Sequence, residues 1–258
     1  MVKAIPSILA QIVEQKKLDL AHRAPGVEEL ADKSTAGRRD FAAALTSRQP
    51  AIIAEIKKAS PSRGVLAAQF DPAGIARLYQ QGGASALSVL TDEKHFQGSL
   101  ADLDSARAAV GLPVLRKDFT IDPYHVQEAA AHGADAILLI AAILSERQMR
   151  DFRELAERYR IAALVEVHDA EELKPAVASG ARIIGVNNRD LNTFEVRLDT
   201  ALQLAEKIPA GVVKVAESGI HSAADVARLR AARYQAFLVG EHLMRSGDPA
   251  GALQALLA

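Results

Sequence analysis

The chain has 258 residues, with 31 Lys and Arg against 32 Asp and Glu and a net charge of −1, a balance that argues against a nucleic-acid binder, whose footprint is a basic excess. Charged residues at 24% and hydrophobic ones at 49% describe a globular chain with ample core material, not a disordered one. The lack of Cys excludes a disulfide scaffold, a thiol nucleophile, a zinc–thiolate site and an iron–sulfur cluster, and points to the cytoplasm.

Met1 to Pro6 contain no apolar h-region, and Glu14, Lys16, Lys17 and Asp19 interrupt the positions that follow, so no signal peptide is expected. No apolar run approaches the roughly 18 residues of a membrane span. Ile5, Ile8, Leu9, Ile12 and Val13 recur at three- and four-residue steps toward Leu20 and predict an amphipathic N-terminal helix, broken at Pro25-Gly26. A shorter apolar pattern through Phe41, Leu45 and Pro50 leads into the first strand.

From residue 51 strand-length apolar runs alternate with helical patterns. The predicted strands are Ala51–Ile56, Ala86–Leu90, Pro113–Leu115, Ala136–Ile140, Ala162–Val167, Ile183–Val186, Val212–Ala216 and Ala236–Val239. Asp71-Pro72 and Asp122-Pro123 read as helix N-caps followed by Pro in the first turn, and Ser145 before Glu146 and Gln148 as a third cap. Gly83-Ala84-Ser85, Gly133-Ala134-Asp135 and Gly180-Ala181-Arg182 repeat one design, a left-handed Gly ending a helix before the next strand. Continuously apolar strands need both faces covered, and closure into a (β/α)8 TIM barrel covers them without leaving an edge. The expectation is an α/β chain forming one barrel domain over 1–258, with 1–50 as an N-terminal helical extension, 51–258 as the barrel and no fused second catalytic domain. A doubly wound open sheet is the alternative, although no G-x-G-x-x-G follows the first strand.

Barrel chemistry sits at the C-terminal strand ends, where this sequence turns polar. Side-chain alternation puts Glu55 and Lys57 on the face of Ala51 and Ile53, Lys117 with Leu115, Glu166 with Leu164, Asn187 with Gly185, and Glu217 with Val215. Any one of these is as well read as a strand-end charge reaching water. As a convergent set of both signs they form a candidate site, able to give and take protons in carbonyl chemistry. Glu217-Ser218-Gly219-Ile220 and Leu238-Val239-Gly240-Glu241, after the seventh and eighth strands, suit a phosphate held by backbone N–H groups; plain turn glycines are the alternative. Ser60-Pro61-Ser62-Arg63-Gly64 reads as a mobile cover or as a surface turn. The seven histidines, His22, His95, His125, His132, His168, His221 and His242, show no H-x-H or H-E-x-x-H spacing, so no metal site is expected. Arg147 to Arg160 interleave with Glu and Asp at the spacing of a solvated helix face.

These residues closely resemble the indole-3-glycerol phosphate synthase family. The resemblance rests on Glu55-Ile56-Lys57-Lys58-Ala59-Ser60-Pro61-Ser62, Ser88-Val89-Leu90-Thr91, Phe96-Gln97-Gly98-Ser99, Leu115-Arg116-Lys117-Asp118-Phe119, Leu164-Val165-Glu166-Val167-His168, Ile184-Gly185-Val186-Asn187-Asn188-Arg189-Asp190-Leu191, Ala216-Glu217-Ser218-Gly219-Ile220 and Phe237-Leu238-Val239-Gly240-Glu241. It implies a cytoplasmic lyase of tryptophan biosynthesis that turns 1-(2-carboxyphenylamino)-1-deoxyribulose 5-phosphate into indole-3-glycerol phosphate, carbon dioxide and water without cofactor or metal. By the same resemblance, Lys117 is the general acid at the substrate carbonyl and Glu166 the acid/base of the later proton transfers. Lys57 binds the departing carboxylate, Glu55 orients Lys57, and Asn187 and Glu217 hold the amine and hydroxyl groups. Ser60, Ser218, Gly219, Gly240 and the Glu241 backbone N–H form the phosphate site with Arg189 as supporting cation, and Phe96, Phe119, Leu138 and Leu191 wall the aromatic ring. The implied partner is a small sugar phosphate, with no nucleic acid and no membrane. A monomer is expected, with contacts to other enzymes of the pathway left open.

Three other functions fit parts of the pattern. A related sugar-phosphate isomerase would use a cysteine base, which this chain lacks. A Schiff-base aldolase would form a trappable adduct at Lys57 or Lys117. A non-catalytic sugar-phosphate binder would be indifferent to Lys117→Ala.

Overall fold

The computed structural model describes residues 7–61, 64–67, 69–191 and 193–258. Parallel strands β1 (Ala51–Ile56), β2 (Ala86–Leu90), β3 (Val114–Lys117), β4 (Ala136–Ile140), β5 (Ala162–Val167), β6 (Ile183–Asn187), β7 (Val213–Glu217) and β8 (Ala236–Val239) form one sheet in chain order. Closure comes from β1, which pairs with β2 in the register Ile53 to Ala86 and with β8 in the register Ala51 to Ala236. The predicted barrel is the observed architecture, and the open sheet is not.

Three strand boundaries differ from the apolar runs. Strand β3 begins at Val114 instead of Pro113 and continues through Lys117, β6 continues through Asn187, and β7 spans Val213–Glu217 instead of Val212–Ala216. Ladder pairing does not stop where the side chains become polar: Leu90 registers with Lys117 and Asn187 with Glu217. Lys117, Asn187 and Glu217 are therefore the last residues of their strands, held by the backbone ladder and not by loops.

Alternation sorts each strand between two buried layers. Ile52, Ala54, Ile56, Leu87, Val89, Leu139, Val165 and Val186 face the helices, while Ala51, Ile53, Ala86, Leu115, Ala136, Leu138, Leu164, Ile183, Val215 and Leu238 fill the lumen. Burial on both faces is why these strands read as unbroken apolar runs. The helix punctuation also holds. Asp71 accepts from the Gly74 N–H at 3.0 Å and Asp122 from the Tyr124 N–H at 2.9 Å, and Ser145 forms a reciprocal capping box with Gln148. Gly83, Gly133 and Gly180 have φ of 95°, 77° and 83°. Arg160 and Arg233 take the same left-handed place, with φ of 56° and 67°, so the repeat continues where no Gly marks it. Glu146–Arg158 carries the expected ion pairs one turn apart, including Arg147 with Asp151 and Arg153 with Glu157.

Before the barrel lie α1 (Ser7–Asp19), α2 (Val27–Lys33) and α3 (Phe41–Thr46). The predicted N-terminal helix is α1, with Ile5 and the Met1–Pro6 start outside the described residues. Helix α3 stoppers the N-terminal end of the barrel, where Phe41 and Leu45 join the lumen cluster. After β1, Ala59–Ser60 pairs antiparallel with Gly64–Val65, making a hairpin of the segment read as a cover or turn; Ser62 and Arg63 fall outside the described residues. Among the described residues no helix is long and apolar enough to cross a membrane.

Candidate active site

Every site residue expected from the sequence lines one cavity of about 320 Å³ at the C-terminal end of the strands. Its polar floor is Glu55 from β1 and Lys57 just beyond it, Lys117 from β3, Glu166 from β5, Asn187 from β6 and Glu217 from β7. Lys117 Nζ donates to Glu166 Oε2 at 2.9 Å and stands 3.8 Å from Glu217 Oε2. Asn187 Nδ2 donates to the other Glu166 oxygen at 3.1 Å. Lys57 Nζ pairs with Glu55 Oε1.

Burial makes these charges interdependent. Glu55, Glu166 and Glu217 are only 4%, 3% and 1% exposed. Burial alone would lower the Lys117 pKa, but Glu166, Glu217 and Glu55 outweigh it and hold the ammonium above the usual lysine range. Burial likewise opposes ionisation of Glu166, and the attraction of Lys117 and His168 reverses the balance and keeps it far below the carboxylate range. Glu217 goes the other way: burial and the nearby Glu166 and Glu55 push it up despite Lys117, and its Oε1 has no hydrogen-bond partner. Two carboxylates beside one ammonium are thus split into an ionised and a proton-holding member, the separation an acid/base pair needs.

Glycine makes the room. A Cβ at Gly185 would collide with Glu217 Oε1, and one at Gly240 with Glu55 Oε1, so β6 and the end of β8 must lack side chains for the carboxylates to lie inside. The phosphate candidates surround the same opening. Ser218 Oγ donates to Asn187 Oδ1 at 2.9 Å, and the Arg189 guanidinium lies 3.5 Å from Glu241 Oε2. Opposite them, the Phe96 and Phe119 rings sit 6.0 Å apart at a tilt of 36°, and Leu138 and Leu191 complete an apolar side. Among the described residues no group of three or more His, Cys, Asp and Glu could hold a metal ion.

The match to known proteins covers this whole arrangement. The family model described as indole-3-glycerol phosphate synthase matches residues 9–256. The chain belongs to the indole-3-glycerol phosphate synthase family. Among relatives carrying that name, the protein of Albidiferax ferrireducens is 51% identical over 97% of this chain and 98% of its own length. That of Koribacter versatilis is 47% identical over 97% and 99%. Solved structures with far lower identity share the fold alone. The N-acetylmannosamine-6-phosphate 2-epimerase from Clostridium perfringens has a TM-score of 0.61 at 14% identity, covering 79% of this chain and 90% of its own. Thiamine phosphate pyrophosphorylase from Pyrococcus furiosus has 0.59 at 16%, covering 81% and 94%. Membership places the chain among the carboxy-lyases of tryptophan biosynthesis.

Besides His221 and His242, which also line the cavity, two features around this site go unmarked in the sequence pattern. Helix α1 contributes Ile8, Leu9 and Ile12 to the cavity wall. Its Lys16 is buried between Asp118 at 2.7 Å and Asp92 at 3.2 Å, beyond the ends of β3 and β2. A lysine on the apolar side of an amphipathic helix was the available signal. The second is His168, which stands behind Glu166 and was set aside with the histidines that lack metal spacing. It lies two residues beyond Glu166, on the same face of the extended chain, with Glu172 four residues further on.

Proposed function

We propose that this chain closes the indole ring of indole-3-glycerol phosphate, taking 1-(2-carboxyphenylamino)-1-deoxyribulose 5-phosphate as substrate and releasing carbon dioxide and water. The observation that carries the reading is Lys117 held between Glu166 and Glu217 in a cavity that has an aromatic wall on one side and two glycine loops on the other.

The Lys117 ammonium donates a proton to the ketone oxygen as the ring carbon bearing the carboxylate attacks that carbonyl carbon. Lys57, oriented by Glu55, attracts the carboxylate until carbon dioxide leaves and its bonding pair restores the aromatic ring. Lys57 then donates the proton with which the new hydroxyl leaves as water, while Glu166, ionised beside Lys117, takes the proton lost from the carbon next to the amine as the ring double bond forms; Asn187 and Glu217 hold the amine and hydroxyl groups through these steps. Ser60, Ser218, Gly219, Gly240 and the Glu241 backbone hold the phosphate with Arg189 beside them. Phe96, Phe119, Leu138 and Leu191 enclose the aromatic ring. Positioning and electrostatic complementarity in a largely buried site supply the acceleration. The N-terminal extension belongs to the working unit because Ile8, Leu9 and Ile12 complete the cavity. The reading carries with it a cytoplasmic enzyme that acts as a monomer on a small sugar phosphate.

The test uses the absence of Trp, which leaves the protein dark where indole emits. Mixing chain and substrate yields a rising indole signal whose rate Lys117→Ala lowers by about 10²–10⁴-fold. A signal unaffected by Lys117→Ala, or none from the wild-type chain despite tight substrate binding, overturns the reading.

A further inference from the structure

His168 does not line the cavity, yet it is buried among charged groups. Its Nε2 lies 3.3 Å from Glu166 Oε1, too poorly aligned to make a hydrogen bond but with no other partner. On the far side of the ring Nδ1 lies 2.9 Å from Glu172 Oε2, and that oxygen also accepts from the His168 backbone N–H at 2.8 Å. One carboxylate oxygen thus holds both the main chain and the ring of His168, which fixes the ring's rotation and keeps Nε2 beside Glu166. Glu172 is itself placed by the first turn of the helix Ala170–Ala178, where Asp169 accepts from the Glu171 and Glu172 N–H groups.

We propose that Glu172 and His168 are a positioning pair for Glu166: Glu172 locks the imidazole against Glu166 Oε1, the oxygen that Asn187 also holds, leaving Oε2 turned toward Lys117. The inference rests on the assignment of Glu166 as the acid/base of the reaction. Charge balance supports it. The His168 ring lies between two carboxylates, Glu166 at 3.3 Å and Glu172 at 2.9 Å, so its protonated form is the one matched by its surroundings. Burial disfavours charge on the imidazole, but Glu166 and Glu172 overcome this and raise it to about 10, so the pair persists across neutral pH. The arrangement parallels the way an oriented imidazole is held by a buried carboxylate in hydrolase triads, except that the imidazole here serves a second carboxylate instead of a nucleophile.

The groups facing Glu166 are Lys117 from β3, Asn187 from β6, Glu217 from β7 and His168 beyond its own strand; β4 presents the apolar Ile140 in register with it. Substituting His168 therefore removes one of two cations beside Glu166 and leaves the other. The test compares pH profiles of turnover for the wild type, His168→Gln, His168→Leu and Glu172→Gln, each checked for folding by thermal unfolding. Gln at 168 keeps an N–H donor but no charge. Its acid limb is expected to move up by about one pH unit, a tenfold change in the proton affinity of Glu166, with KM within about twofold of the wild type. His168→Leu, without donor or charge, shows the same shift and in addition a fall in kcat at neutral pH of about tenfold, which His168→Gln restores. Glu172→Gln, placed on the outer helix, shifts the acid limb in the same direction by less.

Profiles that superimpose on the wild type overturn the proposal, as does a His168→Gln profile that recovers both kcat and the acid limb. If the wild-type chain makes no indole, the synthase reading falls by itself. The pair is then decided by carbon NMR of the Glu166 carboxylate: an upward move of its titration in His168→Gln supports it, and an unchanged titration sinks it.

Discussion

At the N-terminal end of the barrel Phe41 and Leu45, 1% and 0% exposed, close the lumen with apolar side chains; at the C-terminal end the same alternating strands finish in Glu55, Lys117, Glu166, Asn187 and Glu217 around an open cavity. The lower end gains from burial in direct proportion to the apolar area removed from water. The upper end desolvates charges, which is costly unless each is matched, and it holds them only because the strands below are already fixed. One end supplies the stability that the other uses to keep ionisable groups out of water.

The sharpest way to break this contrast is Lys117→Ala. At the mouth it should lower turnover by about 10²–10⁴-fold, the range for loss of a general acid, while KM changes only a few-fold, as read by indole fluorescence under saturating substrate. Phe41→Ala, at the closed end, should do the reverse. It costs about 3–5 kcal/mol of unfolding free energy in urea titration, with kcat of the folded fraction near the wild-type value. If Phe41→Ala instead abolished turnover in a folded protein, the two ends would not be separable.

Gly185→Ala sharpens the comparison inside the mouth. A methyl there meets Glu217 Oε1, so the carboxylate must move. Because displacement by about 1 Å can cost as much as 10²-fold, turnover should fall by about tenfold with little loss of unfolding free energy.

The pH dependence of stability should also come from the mouth. Glu217 has a folded pKa raised from 4.5 to about 8, so its contribution is complete below about 4.5 and is lost as pH rises through about 8. His168 is raised from 6.5 to about 10; its contribution is complete below about 6.5 and is lost as pH rises through about 10. Both therefore weaken the fold on the alkaline side. Glu217→Gln should flatten the decline between pH 4.5 and 8, whereas Phe41→Ala should shift the whole curve without changing its shape. The smallest effect belongs to the surface: Lys33→Ala, removing an exposed pair with Glu29, should stay within about 0.5 kcal/mol.

Much of the fold was legible because it is written in local patterns. Apolar runs located the strands, Asp-Pro and Ser caps located helix starts, and Gly83, Gly133 and Gly180 marked the turns between helices and strands. The same turn at Arg160 and Arg233 was not legible, since a non-Gly residue with positive φ leaves no mark in the sequence. The ends of β3, β6 and β7 were read short because an apolar pattern stops at the first polar side chain and the hydrogen-bond ladder does not. Alternation placed Glu55, Lys57, Lys117, Glu166, Asn187 and Glu217 on inward faces, and a closed barrel brings inward faces together. Lys16 and His168 escaped because their meaning lies in partners, Asp92, Asp118, Glu166 and Glu172, that only the folded chain sets beside them.

Periodicity, punctuation and the set of polar strand ends are properties of the chain alone, because they depend on neighbours a few residues apart. Folding is what pushes the two carboxylates beside Lys117 in opposite directions, Glu166 down and Glu217 up. That split depends on desolvation and on charges contributed by different strands, and neither exists until the barrel closes.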